Sequence, residues 1–548
     1  MMNRRHPKVE SRRRLATLLI FVFIIVTIVA VAGCTRSLPA DQPIPTPFHS
    51  SSSPSLAGTP DGEALAFTHL TPSPPLTTIP PMVLSPSPAY AGVYDGIPTP
   101  NPTPEGFTMG SGLETYTVQA GQTLGWIALV FGCTVEEIVT ANHLPDANSI
   151  SAGQTLVIPV NASEAGPDHK LVPDSEMVYG PAYIHFDLAH FITAQGGYLA
   201  GYTEEVEGVT RTGSQIVQLV AQRFSVGPRV LLALLELQSG WVTQPQPAAE
   251  TLVYPLGYVQ DYHEGLYAQL SWAALRLNDG YYGWKWGGWA TVRLASGSRI
   301  GIAPTLNPGS VGVQNCLAQL APDQETWEWM VGPEGFSATY RRLFGDPFAY
   351  AVEPLTPPDL VQPPLSLPWK TGTTWYFTGG PHGGWGDSPD RAALDFVPGD
   401  RQLGCSPSSQ WAVAAASGQV LRSENGEVIL DLDGDGFEQS GWVLLYLHTY
   451  SEGRVPVGSY VQTGDTIGRP SCEGGYSTAT HLHFARRYNG EWIPAGTGPV
   501  PMVLSGWVAH QDMMPYEGTL TRGDQVRTAC ECWEDDYNGL TADEATDG

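Results

Sequence analysis

The chain has 548 residues, too many for one domain, and its hydrophobic content of 42% is enough for packed cores. Its formal net charge is −27. Carboxylates in such excess exclude a nucleic-acid binder, which works through Lys and Arg on phosphate, and suit a soluble extracellular protein. The pattern of elements described below predicts a multidomain α+β chain.

Residues 1–33 have the layout of an export signal. MMNRRHPKVESRRR is cationic, and LATLLIFVFIIVTIVAVAG (15–33) is an apolar run. The run ends in VAGC (31–34), which resembles the lipobox of bacterial lipoproteins. The resemblance implies that Cys34 carries lipid and anchors the chain on the outer side of the cell membrane. The alternative is a single uncleaved N-terminal transmembrane anchor, since the apolar run is just long enough to span a bilayer. Residues 34–113 are rich in Pro, Ser and Thr, as in GIPTPNPTPEG (96–106), and have no amphipathic period. They are expected to form a disordered, partly polyproline spacer.

Residues 114–160 differ. A strand pattern at Tyr116 and Val118 precedes a helix with apolar Ile127, Ala128 and Phe131. TVEEIVTAN opens a second helix, with Thr134 as cap and Glu137 three residues on to complete a capping box. GQTLVIP closes the segment as a second strand. The paired AGQTL (120–124, 152–156), VEEI (135–138) and AN (141–142) resemble a LysM domain. That resemblance implies a βααβ module binding N-acetylglucosamine-containing glycan. The binding loops would lie at Gly121, Gln122, Thr123 and Leu124, and between Asn142 and Ile150.

After a linker (161–176), residues 177–350 predict a mainly helical domain. TGSQIVQLVAQRFSVGPRVLLALLELQSGWV (212–242) gives two helices, and 267–287 and 310–320 add more. Their order is faintly similar to lysozyme-like lytic transglycosylases, in which a helix ends in Glu-Ser. Here that place holds Gln238-Ser239, and an amide cannot donate a proton as a carboxylic acid does. Glu236 lies two residues earlier, on another helix face. A working glycosidase is therefore not expected; a lapsed or merely analogous glycan-binding cleft is, and a scaffold role is weighed equally.

A proline linker (351–368) leads to residues 369–512. Short strands are predicted at 375–380, 392–397, 418–423, 427–433, 441–450 and 480–488, which argues for an antiparallel β domain. DLDGDG (431–436) opens like an EF-hand loop. Position 12 counted from Asp431 is Trp442 rather than Glu, so a tight hairpin is expected. Four of the five histidines beyond position 370 fall in PHGGWGDSPDRAALDF (381–396), LLYLHTY (444–450) and THLHF (480–484). His481 and His483 are two apart, so on a strand they share a face while Leu482 points into the core. His382 and Asp395 would complete a site of imidazoles and one carboxylate, the donor set of a catalytic Zn²⁺.

This constellation resembles the M23 zinc endopeptidases related to lysostaphin and the β-lytic proteases. Asp395 has Arg391, not His, four residues before it, so the commoner H-x-x-x-D spacing fails. GGPH (379–382) with RAALDF (391–396) follows the β-lytic form, and VPVGSYVQTGDTIGRPS (455–471) also fits. The resemblance implies His382, Asp395 and His483 as ligands of one zinc per chain. It places His448 and His481 beside the attacking water and the scissile carbonyl, for proton transfer and oxyanion stabilisation. It further implies an endopeptidase acting on the peptide cross-links of peptidoglycan. The alternative is a non-catalytic wall-binding scaffold that activates a partner hydrolase.

The remaining cysteines allow many pairings. Cys405 and Cys472 both lie in the peptidase segment, and β-lytic relatives are disulfide-bonded, which favours that pair. Cys530 and Cys532 belong to an expected acidic tail (513–548) and would pair with Cys316 or Cys133.

Overall fold

A computed structural model describes residues 112–118, 122–131, 133–160, 163–496, 498, 500–512 and 514–543. The export signal, Cys34, the Pro/Ser/Thr-rich segment up to 111 and Gly121 lie outside these residues. Among the described residues no helix is long and apolar enough to cross a membrane.

The N-terminal module is βααβ. Strand β1 (Gly112–Thr117) is followed by helices α1 (Leu124–Phe131) and α2 (Val135–Ala141) and strand β2 (Thr155–Val160). The two strands pair antiparallel, Gly112 opposite Val160. Thr134 caps α2 by accepting from Glu137 N, and the Glu137 side chain accepts in return, so the capping box forms. Leu124, Ile127, Phe131, Ile138, Leu156 and Ile158 make the small core.

The next region is mainly helical. A hairpin of β3 (Thr203–Val206) and β4 (Val209–Thr212) leads into α3 (Gly213–Phe224) and α4 (Pro228–Ser239). These are followed by α5 (Leu266–Lys285), α6 (Pro308–Leu320) and α7 (Phe336–Phe344). Glu176 lies at its centre, fully buried. It receives Arg229 Nε at 2.6 Å and Arg229 Nη2 at 2.8 Å, together with the hydroxyls of Tyr183 and Tyr340.

The C-terminal region is an antiparallel sheet. Its strands are β5 (Thr374–His382), β6 (Ala393–Val397), β7 (Gly418–Glu424), β8 (Glu427–Asp431), β9 (Trp442–Leu447), β10 (Tyr460–Val461), β11 (Leu482–Tyr488) and β12 (Gly539–Thr541). Their order is β10-β7-β8-β9-β11-β6-β5-β12, and Glu491–Trp492 pairs with β11. All the main predicted strands form, with ends moved by a few residues. DLDGDG is not a tight hairpin. Residues 432–441 form a longer loop, turned by Gly434 and Gly436 at positive φ.

The sheet alternates in the sense the sequence implies. Leu394, Val428, Leu430, Leu444, Tyr446, Leu482 and Phe484 face one core. Ala393, Ile429, Val443, Leu445, Leu447 and Ala485 face the other, and that second core is continuous with the helical region. Charged pairs cross the same boundary: Arg223 Nε meets Glu427 Oε1 at 2.9 Å, and Lys285 pairs with Glu491. The two regions therefore share one hydrophobic interior.

Residues 513–548 were expected as a tail, and the structure corrects this. Val503–Leu504, Trp507–Gln511, Gly518–Arg522 and Gln525–Thr528 form a four-stranded antiparallel sheet, and β12 extends the main one. The acidic composition of the segment concealed Leu520 and Leu540, on two separate strands and both fully buried.

Candidate metal centre

The sheet register assembles the site. Asp395 on β6 is opposite His483 on β11, and His483 is opposite Leu447 on β9. His382 ends β5, where two register shifts against β6 turn it toward Asp395. His448 follows β9 directly, with φ of 64°, a left-handed backbone that is uncommon outside glycine. His481 lies just before β11, bridged to Ser471 rather than inside the strand as predicted. Its parity still matches His483, and Leu482 between them is fully buried.

Five predicted residues thus meet at one end of the sheet. His382 Nε2 is 3.0 Å from His483 Nδ1, and each of these nitrogens is 3.2 Å from Asp395 Oδ1. His481 Nε2 is 3.7 Å from the same oxygen. The His448 ring centroid is 4.5 Å from that of His481 and 6.2 Å from that of His483.

Each imidazole is oriented by a backbone carbonyl. His382 Nδ1 donates to Gly380 O at 2.8 Å, and His483 Nε2 to Gly384 O at 3.0 Å. His481 Nδ1 donates to Ala479 O at 2.8 Å, and His448 Nδ1 to Glu473 O at 3.1 Å. This assignment leaves a lone pair on the other nitrogen of every ring. His382 Nε2, His483 Nδ1 and Asp395 Oδ1 then converge as three acceptors, and Asp395 Oδ1 is buried with no donor.

Acceptors so close need positive charge among them, a metal ion or a proton. Zinc–nitrogen bonds near 2.05 Å in a tetrahedron would put ligand atoms about 3.3 Å apart, close to the spacing seen. The donor set therefore fits Zn²⁺, with carbonyl partners behind both imidazole ligands.

A proton on His382 would answer the same need for positive charge. Burial would raise the Asp395 carboxyl, but the facing imidazoles of His382 and His481 hold it well below the usual carboxylate range. Burial tends to lower His382, yet Asp395 wins and raises it. His483 is pushed down, chiefly by burial. His448 is pushed down to about 3 by burial and then by His481 and His483, so its ring is neutral at neutral pH.

The loop after His382 is braced from below. Buried Asp390 accepts from Gly384 N at 2.8 Å and Ala392 N at 2.9 Å. Trp385 packs under the Arg223 guanidinium, 5.1 Å from ring centroid to carbon, so the helical region supports this loop. Sequence reasoning missed Tyr516. Its ring stacks on His382 with centroids 4.1 Å apart and planes at 22°. No linear motif marks it, because it arrives from the segment expected to be a tail.

Elsewhere the structure alters several expectations. In the N-terminal module Leu124 is core, 1% exposed, and Ile150 packs against that core. Asn142 is committed to structure: its amide donates to Ile138 O at 2.9 Å, and Val157 N donates to Asn142 Oδ1 at 2.6 Å. Gln122 pairs with the Tyr116 hydroxyl, and the Thr123 hydroxyl accepts from Trp126 N at the start of α1. Glu236 is saturated by Val242 N, Thr243 N, the Thr243 hydroxyl and Arg342. Cys405 is joined to Cys472. Cys530 bonds Cys532 rather than Cys316 or Cys133, which are buried thiols in the separate cores of the helical region and the N-terminal module.

Comparison with known proteins agrees with this anatomy. The LysM domain family matches residues 116–159, the family "LasA, N-terminal domain" matches 170–358, and peptidase family M23 matches 405–495. Protease LasA of Pseudomonas aeruginosa (strain UCBPP-PA14) is 27% identical over 341 residues, 58% of this chain and 74% of that protein. N-acetylmuramoyl-L-alanine amidase XlyA of Bacillus subtilis (strain 168) is 28% identical over 130 residues, 24% of this chain and 40% of that protein. Among solved structures, the deep-sea M23 metalloprotease Pseudoalterin is 26% identical, with a TM-score of 0.25, covering 30% of this chain and 94% of its own. The chain carries a LysM domain, a LasA N-terminal-type domain and an M23 peptidase domain, which makes its C-terminal part a metallopeptidase-type hydrolase domain.

Proposed function

We propose that the chain is an extracytoplasmic zinc endopeptidase that hydrolyses peptide cross-links of peptidoglycan, held to the wall by its LysM domain. The observation that carries this reading is the convergence of His382 Nε2, His483 Nδ1 and Asp395 Oδ1 on one point, with Asp395 Oδ1 buried and unpartnered. A zinc ion there supplies Lewis-acid activation of water and of a peptide carbonyl. Backbone carbonyls hold the four imidazoles before substrate arrives, so little reorganisation is needed. His481 Nε2 and the non-donating nitrogen of His448 carry the lone pairs for proton transfer beside the ligand set. The buried wall of the site, with Trp492 against Gly384, keeps bulk water from that side.

The names of the relatives, a protease and a wall amidase, agree with this substrate class. Binding to the wall through LysM would raise the effective concentration of cross-links at the site. The lipid anchor on Cys34 belongs to the same proposal and rests on VAGC alone; Cys34→Ala should move the protein from the membrane to the soluble fraction. The deciding experiment uses the full chain, native and His483→Ala. One zinc per native chain, lost in the variant together with release of soluble cross-link peptides from purified walls, supports the reading. Zinc-free, inactive native protein that still sediments with walls would leave the scaffold reading instead.

A further inference from the structure

A cleft of about 390 Å³ lies between the helical region and the peptidase sheet. It is lined by Phe186, Arg211, Ser214, Gln218, Gln222 and Glu424. Ser214, Gln218 and Gln222 are four residues apart on α3 and so share one face. Gln218 Nε2 is fixed to the Tyr179 hydroxyl at 2.7 Å and Gln222 Nε2 to Glu438 Oε1 at 2.7 Å. Each amide is clamped by its nitrogen and retains its oxygen as an acceptor. Arg211 contributes a buried Nε with no acceptor, and its Nη2 is 4.0 Å from Glu424, too far for a hydrogen bond. Rigid polar groups with unused capacity around a cleft mark a ligand site.

The cleft adjoins the catalytic end of the sheet. Glu424 opens the turn between β7 and β8, and Gly426 in that turn accepts from Thr449 N at 2.9 Å. A Cβ on Gly426 would lie 2.1 Å from Glu473 O, the atom that orients His448. One turn therefore separates the cleft from the catalytic histidine.

We propose that this cleft is a glycan subsite, holding the N-acetylated amino-sugar strand from which the cross-link under attack extends. The proposal rests on the peptidoglycan reading above and deepens it. A peptide is the poorer occupant: most of the lining is helical, where backbone groups are largely paired, and the edge strand β4 contributes only Arg211, too little edge for an extended chain. Recognition falls to planar amides, a guanidinium, a carboxylate and the Phe186 ring. Those groups suit the hydroxyls, acetamido groups and C–H faces of sugar rings.

The test uses the full chain with Ala189→Trp, which fills the cleft from an exposed position on its rim, and Arg211→Ala. Two substrates are compared: a free cross-link peptide, and the same peptide on soluble glycan strands. KM for the glycan-borne substrate should rise roughly tenfold in both variants, the scale of one lost charged hydrogen bond, with kinetics on the free peptide unchanged. Unchanged kinetics on both substrates would overturn the subsite. Equal losses on both, or a loss on the free peptide alone, would also overturn it. If the native chain cleaves neither substrate, the peptidase reading fails, and the subsite is judged by calorimetry with uncross-linked glycan strands. Ala189→Trp should then bind one strand fewer per chain than native protein, and equal stoichiometry refutes the subsite.

Discussion

Two buried carboxylates, one in each large region, sit where the sequence resembles a wall hydrolase. Glu236 ends a helix of the helical region, and Asp395 lies on a central strand of the sheet. Glu236 accepts from Val242 N and Thr243 N at 3.1 Å each, the Thr243 hydroxyl at 2.6 Å and Arg342 at 3.0 Å. Asp395 Oδ1 faces His382, His483 and His481 at 3.2, 3.2 and 3.7 Å, and each of those nitrogens is a lone pair once the ring's other nitrogen has donated to a carbonyl. A carboxylate surrounded by donors is fixed in place and has nothing left to react with. One surrounded by acceptors needs a cation, and there the chemistry is placed.

The comparison can be tested most severely at its functional end. Asp395→Asn should abolish stoichiometric zinc and lower cross-link hydrolysis by about 10³-fold or more, the scale lost with a main electrostatic element of a site. Metal analysis and peptide release check both halves, and retention of either would break the comparison. At the structural end, Arg229→Ala strips the charged partner from buried Glu176. Denaturant titration should show a loss of about 3–5 kcal/mol, the cost of stranding a buried charge, with zinc content unchanged.

Asp279 is an intermediate case. It pairs with Arg276 at 3.0 Å, yet burial, with Asp387 and Asp390 nearby, raises it to about 6. A raised folded value means that the native state holds the proton more tightly. Its contribution to stability is present below pH about 4 and is lost as pH rises to about 6. Asp279→Asn should flatten that part of the stability–pH curve, by at most about 3 kcal/mol for a shift of this size. Melting temperatures at pH 4, 5, 6 and 7 measure it, and parallel curves would refute the assignment.

Glu236→Gln should cost about 1–3 kcal/mol as its donors lose a charged acceptor, while peptide release and the absence of new reducing ends stay as in native protein. A variant-dependent loss of reducing-end release would make Glu236 a working acid and erase the contrast. The smallest effect belongs to the exposed hydroxyl of the capping box. Thr134→Ala should cost about 1 kcal/mol, confined to the LysM module and visible as faster amide exchange in α2 alone.

Much of the site was legible because its parts are local. His481 and His483 differ by two residues, which fixes their common face on or beside a strand. Asp395 lies within RAALDF, where alternation sends Leu394 and Phe396 to the core and Asp395 to the other face. The Thr134–Glu137 box is four residues long and formed as read. Tyr516 and Asp390 were not legible. The first reaches His382 from the far side of the chain, and the second braces a loop through backbone amides, for which no side-chain pattern exists.

By itself, then, the sequence determined the main elements up to residue 488, their buried faces and the residues able to bind a metal, since periodicity and local spacing encode them. The tertiary structure alone decided which ring nitrogen faces Asp395, because that depends on carbonyls at Gly380, Gly384, Ala479 and Glu473. It also decided that Glu236 is saturated, through Arg342 on α7. And it laid the helical region on the same face of the sheet as the metal ligands, so that Leu447 and Ala485 share a core with α3. The core contacts among these join residues more than two hundred positions apart, and hydrophobic burial, being non-directional, leaves no trace of its partner in either segment.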